Sequence, residues 1–205
     1  MQNIIQPRLQ FLALGDSYTI GEQVAYEDNF PNQCAQMLRQ KAISIADPKI
    51  IAQTGWTTDE LLATLPEDLS QENYEIVSLL IGVNNQYRGR SVENYAQEFQ
   101  QLLNIALACT KQTPSNLWVL SIPDWGGTPF AADKDAQQIS QEIDAFNLCA
   151  QNICHQAQVA FLDITSSTRK HAKLAEYLAP DGLHPSALEY TIWAKQLSDS
   201  IEKNT

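Results

Sequence analysis

Basic side chains are scarce in this sequence: 13 Lys and Arg stand against 24 Asp and Glu among 205 residues, for a formal charge of -11. No Lys/Arg cluster is dense enough to neutralise a run of phosphates, so nucleic acid is not an expected partner. Long apolar runs are also missing. Met1 to Arg8 mixes Gln, Asn and Pro where a secretory signal needs a basic start and a continuous apolar stretch, and no later run reaches membrane length. No stable membrane insertion and a cytoplasmic location are therefore expected. Cysteine is present only as Cys34, Cys109, Cys149 and Cys154, which match neither a CxxC redox pair nor zinc-finger spacing. Each lies among helix-forming residues, and Cys149 and Cys154, five apart, turn to different faces, so reduced thiols are expected. The 8 Gly and 9 Pro are scattered, which excludes collagen-like and low-complexity chains.

What remains is an ordinary globular composition, 44% hydrophobic and 18% charged, with no repeat, linker or charge block, and one domain over 1–205 is expected. Short apolar runs alternate with longer stretches of helical period, the pattern of a parallel sheet covered by helices. Strands are predicted at Arg8 to Leu14, Lys49 to Ala52, Ile76 to Ile81, Leu117 to Ile122 and Val159 to Leu162, each apolar enough to be buried on both faces. Helices are predicted at Asn29 to Lys41, Thr58 to Leu65, Val92 to Lys111, Ala136 to Gln156 and Ala187 to Lys203. In the fourth, Ile139, Ile143, Phe146, Ala150 and Ile153 form one apolar stripe. In the last, Tyr190, Trp193, Ala194, Leu197 and Ile201 do the same. Both stripes read as core.

Ligands of such sheets bind beyond the carboxyl ends of the strands, so the chemistry is sought in the loops there. Ser17 sits in GDSYTIGE after the first strand, where Gly, Asp and Ser serve a turn as readily as a nucleophile. The loop lacks the Lys of a P-loop, and Thr19 breaks a GxSxG elbow. In DGLHPS, Asp181 lies three residues before His184. A carboxylate there can accept the imidazole Nδ1 proton and leave Nε2 to take one from a hydroxyl. His155 and His171, in helical or polar surroundings, read as structural. A serine attacking a carbonyl also needs donors for the oxyanion. Gly55 in AQTGWTT and Asn84 in LLIGVNNQYRG follow the second and third strands. Each is a candidate donor and equally an ordinary turn residue.

Together Ser17, Gly55, Asn84 and the Asp181–His184 pair resemble, in order and local context, the blocks of the GDSL esterase and lipase family, also called SGNH hydrolases. The resemblance runs from Gly15 to Pro185. It implies a flavodoxin-like three-layer α/β/α sandwich around a five-stranded parallel sheet. Ser17 would be the nucleophile, His184 the base and Asp181 the orienting acid. The oxyanion hole would comprise the backbone N–H groups of Ser17 and Gly55 and the Asn84 amide. Asp16 would position its loop, and Gly15 would act as a hinge turning the Ser17 N–H and hydroxyl to one carbonyl. Many members read GxND where this chain has GVNN, so Asn85 stands in place of an acid. Asp163 is the second candidate for the triad acid.

The resemblance implies ester hydrolysis through an acyl-enzyme with no metal or other cofactor; the lack of an extended lid-forming insertion and the acidic surface point to small soluble, short-chain or acetyl esters. Trp56, Tyr87, Trp125 and Phe130 are the candidate substrate-binding residues. The segment IPDWGGTPFAAD reads equally as a mobile pocket wall and as a plain long loop. Alternatives that keep the same residues are a lysophospholipase, a thioesterase and an acyltransferase. The rival within enzymes is a metal-dependent hydrolase built on Asp16, Asp181 and His184, and the rival from another class is a non-catalytic binding or scaffold protein.

Overall fold

The computed structural model describes residues 8–204; all but the last residue of the N-terminal stretch Met1 to Arg8 lies outside them. β1 (Phe11–Asp16), β2 (Lys49–Gln53), β3 (Ile76–Leu80), β4 (Leu117–Leu120) and β5 (Ala160–Leu162) form one parallel sheet in the order β2-β1-β3-β4-β5. The helices are α1 (Ser17–Ile20), α2 (Phe30–Gln40), α3 (Thr58–Thr64), α4 (Val83–Tyr87), α5 (Val92–Cys109), α6 (Ala136–Gln156), α7 (Thr165–His171) and α8 (Ala187–Glu202).

Strand order decides which helix covers which face. The step from β1 to β2 moves one way along the sheet and every later step moves the other way. Right-handed crossovers therefore put α2 on one face and α3, α5 and α6 on the opposite one. The packing agrees: α8 lies on α2, while α5 packs against both α3 and α6. The result is the three-layer sandwich that the resemblance implied.

Every residue of β1, β3 and β4 is buried, as strands covered on both faces should be. The edge strands depart from that expectation. β2 and β5 are partly exposed, because a neighbouring strand covers only one of their sides. The stripes on α6 and α8 enter the core, except that Ile153 is only partly buried. All four cysteines are free, and burial pushes the Cys154 thiol up to about 12. Among the described residues, no helix is long and apolar enough to cross a membrane.

The first strand also differs from its predicted bounds. It begins at Phe11, with Leu9 making only an isolated bridge to Ile45, and it continues through Gly15 and Asp16. The expected loop after it is instead a one-turn helix opening at Ser17. The register pairs Asp16 with Gln53 and Gly15 with Leu80, so the carboxyl ends of β1, β2 and β3 lie side by side. Between β1 and β3 the strand order reverses, and that crevice is where an open α/β sheet binds ligands.

Candidate active site

Ser17 is the first residue of α1, so its backbone N–H has no acceptor within the helix. Asp16 caps that helix by accepting from the Tyr18 N–H at 3.0 Å. Gly15 is not the expected hinge: it lies within β1 and lacks a positive φ. A Cβ at this position would sit 2.1 Å from Thr19 Oγ1 and 2.4 Å from the Leu80 carbonyl oxygen. Glycine is required here because helix and neighbouring strand press on the same point.

The loop before α8 brings His184 to Ser17. Asp181 Oδ1 accepts from the backbone N–H groups of Leu183 and His184 at 2.9 and 3.0 Å, closing a tight turn, with Gly182 at φ 66 inside it. The Ala179 N–H donates to the His184 carbonyl at 2.7 Å, and the Ser186 N–H to that of Tyr177 at 2.9 Å. Held this way, His184 presents Nδ1 to Asp181 Oδ2 at 2.6 Å and Nε2 to Ser17 Oγ at 3.0 Å. An ionised carboxylate can only accept, so Nδ1–H donates and Nε2 of the neutral ring is left to accept from the serine hydroxyl. Burial opposes ionisation of Asp181. The hydrogen bonds from the His184 ring and the two backbone N–H groups outweigh it and hold the carboxyl below its usual range.

Asp16 is the contrasting acid. Fully buried, it is pushed by desolvation up to about 7, although the Tyr18 N–H and the Asn84 amide favour its charge. Asn84 belongs to α4, which follows Gly82. That glycine has φ 130, and a Cβ on it would stand 2.6 Å from the Tyr95 ring. Asn84 Nδ2 donates to the Trp56 carbonyl at 3.0 Å and lies 3.4 Å from Asp16 Oδ2. The second contact is longer than a good hydrogen bond, so one amide hydrogen is available to a better acceptor. Asn85, at the position where the resemblance led to an expected acid, is buried. It accepts from the Thr58 N–H at 3.0 Å and donates to Thr58 Oγ1 at 2.6 Å, a double role that a carboxylate could not fill.

Ser17, Gly55, Asn84 and His184 line one open cavity. Tyr87, Trp125 and Phe130 form its aromatic wall, with ring centroids 5.4 to 6.5 Å apart. Trp56 does not line it, contrary to expectation. Its carbonyl is drawn to Asn84 and its side chain packs against the hydrophobic core. Thr54, Tyr18, Val83 and Leu183 complete the wall; sequence reasoning missed all four, although the last three adjoin Ser17, Asn84 and His184.

The wall segment is fastened at several points, against the reading of a mobile flap. Buried Asp124 accepts from the Gly126 N–H, Ser140 Oγ and Arg169 Nε, and Trp125 Nε1 donates to Gln86 at 2.8 Å. Asp163 precedes α7 and accepts from the Ser166 N–H in its first turn at 3.1 Å, while the hydrogen bond to the His184 ring is made by Asp181. His171 is buried, paired with Glu189 at 2.7 Å and stacked on Tyr177. Among the described residues, no three of His, Cys, Asp and Glu cluster as a metal site requires.

A hydroxyl, an imidazole and a carboxylate in hydrogen-bonded series, opening on a cavity at the switch point of an α/β/α sandwich, define a serine hydrolase arrangement. The GDSL-like Lipase/Acylhydrolase family matches residues 13–192, and the chain belongs to that family. No curated protein matches it. Among solved structures, TesA is 16% identical with a TM-score of 0.76, over 96% of this chain and 99% of its own. The psychrotrophic esterase EstA from Pseudoalteromonas sp. is 16% identical with a TM-score of 0.72, over 95% and 97%. Axe2, an acetylxylan esterase from Geobacillus stearothermophilus, is 17% identical with a TM-score of 0.71, over 94% of each chain. At these identities the likeness is one of fold.

Proposed function

We propose that this serine hydrolase cleaves carboxylic esters with Ser17 as nucleophile, His184 as general base and acid, and Asp181 as the acid that orients the ring. The observation that carries the reading is the unbroken series from Ser17 Oγ through His184 to Asp181, at 3.0 and 2.6 Å. Ser17 Oγ attacks the carbonyl carbon while its proton passes to Nε2, and Asp181 stabilises the imidazolium. The oxyanion accepts from the N–H groups of Ser17 and Gly55 and from Asn84 Nδ2. On collapse, Nε2–H protonates the departing alcohol and leaves an acyl-serine. Water, deprotonated by His184, then attacks that ester, the acid departs and the hydroxyl is restored.

The cavity supports short apolar acyl groups. Tyr87, Trp125, Phe130, Val83 and Leu183 offer rings and aliphatic surface, and the Trp125 N–H is already committed to Gln86. A cytoplasmic location is supported by four free thiols.

Chromogenic esters of increasing acyl length test both parts. Hydrolysis is expected to be fastest for short chains and absent in Ser17→Ala. Asn84→Ala is expected to lose roughly 100- to 1,000-fold in turnover. Full activity in Ser17→Ala, or rates that climb steadily with chain length, would contradict the corresponding part.

A further inference from the structure

Gly55, one of the three proposed oxyanion donors, lies in the turn that follows β2. It has no side chain, its φ is 84, and a Cβ built on it would meet nothing closer than an Arg88 nitrogen at 3.7 Å. The direction of its N–H therefore depends on what holds the neighbouring peptides. A turn bond from the Trp56 N–H to the Gln53 carbonyl at 3.2 Å closes the backbone around Gly55, and the α4 segment grips it from outside. Arg88, at the C-terminal end of α4, donates from Nη2 to the Gly55 carbonyl at 2.7 Å. Asn84 donates to the carbonyl of Trp56, and Asn85 accepts from the Thr58 N–H and donates to the Thr58 hydroxyl. Arg88 Nη1 also donates to Glu60 Oε1 at 3.1 Å, and the other oxygen of Glu60 accepts from the Thr57 N–H at 2.9 Å.

We propose that Arg88 is a positioning residue of the oxyanion hole, clamping the Gly55–Trp56 peptide, next to the one that carries the Gly55 N–H, to the helix that carries Asn84. The proposal rests on Gly55 and Asn84 being the oxyanion donors. A guanidinium suits the task because its planar fork serves two acceptors at once, a carbonyl and a carboxylate, in fixed relative directions. As a mere surface ion pair, Arg88–Glu60 would contribute little, since both side chains are about 40% exposed (42% and 39%). Its value lies in catalysis. An oxyanion exists only along the reaction, so misaiming a donor lowers kcat and leaves KM in place.

Steady-state kinetics on a neutral chromogenic acetate, with thermal melts, compare Arg88→Ala, Arg88→Lys, Arg90→Ala and Ser17→Ala. Arg90 is the control, because it pairs with Asp59 of α3 and makes no hydrogen bond to Gly55. Arg88→Ala is expected to lose about 10- to 100-fold in kcat with KM within about twofold and little change in melting temperature. Lys, a single point charge, is expected to restore part of the rate, and Arg90→Ala to stay within about twofold of the parent. If Arg88→Ala is too unstable to assay, the Lys variant carries the same split between kcat and KM. Parental kcat in Arg88→Ala would overturn the proposal, and so would a loss confined to KM, which would make Arg88 a substrate contact. Hydrolysis surviving in Ser17→Ala would instead remove the site assignment on which the proposal stands.

Discussion

Two acids near Ser17 differ first in burial and then in partners. Asp181 has an imidazole and two backbone N–H groups, which keep it ionised. Asp16 has one backbone N–H, a distant amide and no exposure, so its carboxyl rises from 3.8 to about 7. Between those two values the folded chain keeps a proton that the unfolded chain has released, so stability falls as pH rises through this window. Asp16→Asn cannot ionise. Its melting temperature is expected to gain on the parent between pH 4 and pH 8, read as melting curves of both proteins across that range; a constant gap would contradict the burial argument. The triad acid gives a second prediction at this scale. Asp181→Asn is expected to keep the fold and lose about 10,000-fold in turnover, whereas Asp163→Asn, which weakens the hold on the first turn of α7, is expected mainly to lower the melting temperature. Kinetics and melts of the two variants would reveal any exchange of roles.

Elements set how closely these residues approach. β1, α1 and β3 meet at Gly15, where any side chain collides with Thr19 Oγ1 and with the Leu80 backbone. Gly15→Ala is expected to cost about 3 kcal/mol or more. Adding Thr19→Ala should not restore it, because the Leu80 carbonyl remains; a full recovery of melting temperature in the double variant would contradict this packing. The same scale explains what the sequence made legible. The bounds of α6 could be read because its stripe repeats over 21 residues, and Ser17 and His184 because short-range turn chemistry surrounds them. α3, short at seven residues, was legible, whereas α1, α4 and α7, of four to seven residues, lack an apolar stripe and lie in segments the sequence reads as loops. The direction of Trp56 and the grip of Arg88 on Gly55 were not legible either, since both depend on how α4 docks against the segment after β2.

At the scale of the molecule, the site joins the two ends of the chain. Ser17 and His184 are 167 residues apart, and meet because α8 returns to pack on α2. Gln33 of α2 donates to the Ala187 carbonyl, and Lys41 bonds Asp199 and Glu202 of α8. One cooperative domain is our proposal, and calorimetry is expected to give a single transition whose enthalpy matches the van't Hoff value. The central claim is that this convergence makes Ser17 a nucleophile. Its most direct measurement is the intact mass of the protein after reaction with a fluorophosphonate, followed by peptide mapping. The expected result is one phosphonyl group per chain, on Ser17, absent from Ser17→Ala and strongly slowed in His184→Ala. A label on another residue, or one that persists in Ser17→Ala, would contradict it.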